Sequence, residues 1–263
     1  MSRTRRTLLA LLALALLKRP ADRVLATMLP DVSVSPVPIC VAGMLVSLLL
    51  LGLPAWLLRP WTSARLTRTD ALWPDLCLAI VAGLLARVAL PPLDAAWQGW
   101  LRISPASMPV PSGLPMTLLY SLALSVVPAV TEEAFFRGAL LTSLLDGGRR
   151  SAAALMTALA FVLMHGRVAN MPSLMAVSLL LTALMLRTGH VAVPMTAHLI
   201  YNLTALWMLM IPAWGSILCG AVLAAMLMML CVRRGEMAHP PMKRLDGLLA
   251  AAALLVLAGM YFV

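Results

Sequence analysis

The chain has 263 residues, 62% of them apolar and only 11% charged, with a formal net charge of +10. So few polar residues cannot cover a soluble domain, so the composition indicates an integral membrane protein. The positive charge does not signal nucleic-acid binding: basic residues fall in short clusters between apolar runs, and only 5% of residues are aromatic.

The N-terminal sequence MSRTRRTLLALLALALLKRP has a basic start and an apolar run of ten residues, resembling a signal peptide or a short signal anchor. As a helix that run reaches only ~15 Å. If it did not cross, six basic residues would lie on the outer side. A short first span is therefore expected in preference to a cleaved leader, with residues 1–36 forming this segment and its loop. Apolar stretches follow at about 37–58, 74–91, 113–145, 151–165, 172–187, 189–211 and 214–232, and a further one ends the chain at about 246–263. The run 113–145 is too long for one straight span, and Pro128 with the charges after it predicts a kinked or broken helix. The expected fold is all-α, a polytopic membrane protein of about eight transmembrane helices, with residues 37–263 as one membrane domain. Loops 59–73, 146–150, 187–188 and 233–245 hold ten Arg or Lys residues, whereas the opposite loops hold only Arg102 and Arg167. The first set is expected to be cytoplasmic.

Within the third of these runs lies VVPAVTEEAFFRGALL, which places Glu132, Glu133 and Arg137 in apolar surroundings; the whole chain has only three glutamates. Each intramembrane charge costs roughly 2.5–3.5 kcal/mol even on a lenient scale, so such residues call for partners or a function. Glu133 and Arg137 are four residues apart on a helix and share a face, which predicts an ion pair. Glu132 points about 100° away and is left as a candidate general base. Two later segments add polar groups: FVLMHG carries His165, and HLIYN carries His198 and Asn202 one helical turn apart. Counted from the cytoplasmic end of each span, Glu132, His165 and Asn202 all come out ~20 Å deep and His198 ~14 Å, so the groups are expected to converge. A Glu with a His can activate water, and a His with an Asn amide can donate to an oxyanion. Two Glu and two His are also compatible with zinc, although no H-E-x-x-H signature occurs. If a divalent metal takes part, Glu132, His165 and His198 are the expected ligands.

In this order and at about this spacing, EEAFFRG resembles the E-E-x-x-x-R motif, FVLMH the F-x-x-x-H motif, and HLIYN the H-x-x-x-N motif of the CAAX protease and bacteriocin-processing (CPBP, or Abi) family of intramembrane proteases, related to CAAX prenyl protease 2. The resemblance covers about residues 115–205. It implies that Glu132 is the principal catalytic glutamate, acting with His165 on water. It further implies that Glu133 and Arg137 support the site, that His198 and Asn202 form the oxyanion hole, and that no cofactor is required. The partners implied are a membrane-associated protein or peptide substrate and the lipid bilayer. Arginine outnumbers lysine 18 to 2, which hints at a GC-rich bacterial genome and hence at a bacterial cytoplasmic membrane. The expected function is an intramembrane endopeptidase. The competing class is a non-enzymatic membrane protein, a proton-coupled transporter or scaffold with a buried Glu/His/Arg network, although no internal repeat of the transporter kind is visible.

Other polar residues read as structural. His190 and His239 are expected to be solvated in loops, and Arg87 to snorkel toward head groups. Trp56, Trp61, Trp73, Trp97 and Trp100 are expected as interface anchors, and the Met-rich AAMLMML as lipid-facing filler. The four cysteines are expected to be unpaired.

Overall fold

The computed structural model describes residues 2–28, 36–59, 61–63, 65–104, 113–206, 213–231 and 244–259, and every regular element among them is helical. The expectations for His239, Arg233, Arg234 and Lys243 concern residues outside these ranges. The helices are α1 (Arg3–Met28), α2 (Val37–Leu57), α3 (Leu72–Ala89), α4 (Pro91–Leu101), α5 (Gly113–Gly147), α6 (Arg150–His165), α7 (Met171–Thr188), α8 (Ala192–Leu206), α9 (Ala213–Cys231) and α10 (Arg244–Gly259). Four described segments are long and apolar enough to cross a membrane: α2, α3 continued by α4, α5, and α7 with the turn before it. α6 and parts of α9 and α10 are apolar but shorter.

The long run in α5 is not broken. It stays helical from Gly113 to Gly147 and absorbs its proline by widening into π-helical turns at Leu122–Val126, just before Pro128. α2 does the same at Leu48–Gly52, ahead of Pro54. A proline lacks the N–H and collides with the carbonyl four residues earlier, and a wider turn relieves both problems. A second π segment, Ala134–Leu141, begins directly after the paired glutamates.

One core cluster surrounds this second π segment. Phe135, Phe136, Leu140 and Leu144 of α5 meet Leu8, Leu11 and Leu14 of α1, Leu51 of α2, Phe161 of α6 and Ala253 of α10. A second cluster joins Ala79, Ala82 and Ala86 of α3 to Leu180 and Leu184 of α7 and to Val193 and Ala197 of α8. The small residues on α3 allow very close approach: a Cβ on Gly83 would lie 2.5 Å from the Ala197 carbonyl oxygen. Large apolar side chains such as Leu49, Leu57, Leu118, Ile217 and Leu255 face outward, as lipid contact requires. Cys40, Cys77 and Cys219 are free.

One end of the bundle is tied together by polar contacts. Arg3 donates to the Thr62 carbonyl and to Thr142, and its guanidinium lies 3.5 Å from Asp146. Ser63 bonds Asp146, Arg65 bonds the Gly148 carbonyl, and Arg150 donates to the Leu186 carbonyl. These are the chain start, the described parts of loops 59–73 and 146–150, and the end of α7, so they share one face.

Four expectations change here. His190 is not free in solvent: its Nε2 lies 2.9 Å from the Thr69 carbonyl oxygen, because segment 65–71 docks on the end of α7. Gly189 permits that docking, with φ +69° and a Cβ position only 2.8 Å from the Thr67 carbonyl oxygen. Trp61 does not anchor at an interface: it donates to the Ala55 carbonyl and lies against Gly138. Trp97 is half-buried and donates to the Val168 carbonyl, whereas Trp56, Trp73 and Trp100 are exposed as expected. In the Met-rich run, Met226 packs against the second core cluster rather than facing lipid.

Candidate active site

Three helices bring the polar residues together. α5 carries Glu132, Glu133 and Arg137 at the junction of its α- and π-helical parts. α6 is rich in Ala, Leu and Met, strong helix formers, and ends at His165 because Gly166 takes the left-handed conformation (φ +63°). The segment after it is held from α4, where Trp97 and Gln98 donate to the carbonyls of Val168 and Ala169. α7 starts at a proline, and the buried Asp94 accepts from the Ser173 N–H and hydroxyl and from Asn170, which fixes this helix end.

Glu133 and Arg137 form the expected ion pair at 2.8 Å, and both are fully buried. Two further contacts were not legible beforehand. His198 Nδ1 lies 2.8 Å from the same Glu133 oxygen. Arg137 also donates to both the carbonyl and hydroxyl oxygens of Ser178 on α7, at 2.9 and 2.7 Å. Ser178 gave only a weak signal, one serine in an apolar span, and such serines are common helix-packing residues. The central carbon of the Arg137 guanidinium lies over the Phe161 ring, 4.6 Å from its centre. Phe161 also stands between the two histidines, with ring centres 4.5 Å from His165 and 5.8 Å from His198.

Glu132 and His165 form the other half. His165 Nε2 lies 3.7 Å from Glu132 Oε2. His165 Nδ1 lies 2.8 Å from the Phe161 carbonyl oxygen, which can only accept, so Nδ1 donates and the Nε2 lone pair faces the carboxylate. Two acceptors at 3.7 Å do not bond directly, and a water donating one proton to each fits that separation. Glu132 Oε2 is buried and has no hydrogen-bond partner among the described residues. Asn202 is half-buried one turn beyond His198 on α8. Among the described residues no three His, Cys, Asp or Glu side chains converge as metal ligands; Glu132 pairs with His165, while His198 turns to Glu133.

The motifs therefore divide into two layers. The fully buried Glu133–Arg137–Ser178 network clamps α5 to α7 and steers the His198 ring. Glu132 and His165 are partly accessible and face each other outside that network. A family model described as type II CAAX prenyl endopeptidase Rce1-like matches residues 114–204, the segment from α5 to α8 that builds this site. Comparison with curated proteins and with solved structures gives no match. The family match supports the CPBP family of CAAX-type proteases, to which the three motifs point.

Proposed function

We propose that this protein is an intramembrane endopeptidase of the glutamic type. It hydrolyses a peptide bond of a membrane-associated or C-terminally sorted protein or peptide. The observation that carries the reading is the placement of Glu132 against His165, 3.7 Å apart. A water held there loses a proton to Glu132 as its oxygen attacks the scissile carbonyl carbon. The tetrahedral oxyanion is held by His198 and Asn202. With Nδ1 donating to Glu133, which is already paired with Arg137, His198 presents a second N–H at Nε2 only as an imidazolium, and the oxyanion that forms there supplies the opposing charge. Collapse breaks the C–N bond, and the proton taken by Glu132 passes to the departing amine. One water is consumed, and a carboxylic acid and an amine are formed.

The site is set in a bundle of about eight transmembrane helices, the shorter apolar helices completing the four long spans, in a bacterial cytoplasmic membrane. Its partners are the peptide substrate and the bilayer. The steps ask nothing of a metal, so dialysis against a chelator leaves the rate unchanged; a loss restored by zinc would instead make Glu132, His165 and His198 ligands.

The test is cleavage by the purified protein and by comparison of membrane-protein termini in a deletion strain carrying wild type, Glu132→Gln or His198→Ala. Glu132→Gln should lower turnover by about 10²–10⁴ while the fold is kept. His198→Ala should cost about 10²–10³. Identical peptide ends in all three strains would end the protease reading.

A further inference from the structure

We infer that Arg87 of α3 is a specificity-determining residue that receives the C-terminal carboxylate of a bound peptide. The inference rests on the peptidase reading above. Arg87 stands fifteen residues from Leu72, as Glu132 does from Gly147 and His165 from Arg150. All three helix ends lie on the basic face, so each residue is ~22 Å along its helix from that face. Arg87 is thus level with Glu132 and His165.

It is also on the correct side of the bundle. The close approach of Gly83 to Ala197 sets α3 against α8. One turn further on, the Arg87 guanidinium lies 5.8 Å from the Tyr201 ring centre. Tyr201 immediately precedes Asn202 and follows His198 by three residues. Arg87 is consequently one side chain away from the helix that supplies the oxyanion donors.

Its charge lacks a carboxylate. No ion pair within 4.0 Å is formed by Arg87 among the described residues, in contrast to the fully paired Arg137. The carboxylate nearest in kind, Asp94, also faces Tyr201, but its oxygens are taken up by Ser173 and Asn170. A half-buried cation in an apolar span whose partners are the ring and hydroxyl of Tyr201 has no opposite charge to balance it. The anion common to every peptide with an unmodified end is its terminal carboxylate, and the planar fork of arginine matches it with two parallel hydrogen bonds. A lipid phosphate is the other anion in reach. The peptide is favoured because the guanidinium, in the last turn of α3, is level with the reacting groups and lies against Tyr201, which immediately precedes Asn202.

The experiment measures binding without turnover. Full-length Glu132→Gln protein in lipid nanodiscs is titrated with a fluorescent eight-residue apolar peptide bearing a free C-terminus, and with its C-terminal amide. The free acid should bind about tenfold more tightly, as expected for a charge-assisted bidentate contact. Adding Arg87→Gln should bring the acid to the affinity of the amide and leave the amide unchanged. Arg87→Lys, the milder variant if Arg87→Gln does not fold, should weaken only the acid, by several-fold. Equal affinities for acid and amide in the parent overturn the inference, as that result leaves lipid phosphate as the anion. So does a preference that survives both substitutions, or one lost in Arg167→Gln instead. If the preference behaves as expected but wild-type protein hydrolyses neither peptide, the peptidase reading fails while Arg87 stands as an anion-binding residue.

Discussion

Arg137 shows how one side chain can be both expensive and necessary. Its guanidinium is fully buried, yet it donates to Glu133 and to two oxygens of Ser178 and has its central carbon over the Phe161 ring. Removing it leaves Glu133 charged, buried and held only by His198. Arg137→Ala should therefore destabilise the protein by roughly 3–5 kcal/mol as well as abolish activity. Ser178→Ala should cost less, because the Ser178 carbonyl remains as an acceptor. Thermal unfolding in detergent measures both; an Arg137→Ala protein that melts with the wild type would show that the network does not hold α5 to α7. The Glu133–Arg137 pair was legible because a helix puts residues four apart on one face. The His198 and Ser178 contacts were not, since both lie on other helices and no spacing in the chain relates them.

At the scale of elements, π-helical turns and glycines decide how closely neighbours approach. The π segment Ala134–Leu141 carries Gly138, and a Cβ there would lie 2.9 Å from the Trp61 ring. Trp61 thus tucks against the helix that bears the glutamates, where the tryptophan pattern alone suggested an interface anchor. Gly138→Ala should cost about 1–3 kcal/mol of stability, as overpacking does. The same substitution should cost little in a Trp61→Ala background, because neighbours in contact are non-additive. Equal costs in the two backgrounds, read by chemical unfolding, would place the strain elsewhere. Pro128 predicted a disruption correctly, but the chain met it with a wider turn and stayed helical.

For the whole molecule, the alternation of basic loops sets orientation, and the structure gathers the chain start with those loops on one face. In a cysteine-free background, Arg68→Cys should be labelled by an impermeant thiol reagent only from the cytoplasmic side, and Arg167→Cys only from the opposite side. Both native residues are exposed, so access does not depend on unfolding. Labelling of both from the same side would reverse the expected arrangement of loops.

Composition and periodicity determined the class of the protein by themselves. Hydropathy is a local property, so the apolar helices and their basic loops could be read directly, and so could the three segments bearing Glu132, His165 and His198. Helical phase also showed which face each polar group occupies. Only the tertiary structure decided who meets whom: His198 with Glu133, Arg137 with Ser178, Phe161 between two histidines, Arg87 on Tyr201 and His190 under the docked loop. Part of that choice is how nearly a helix or a loop can approach at Gly83, Gly138 and Gly189. That depends on the shapes of two surfaces at once, and no single stretch of sequence contains both.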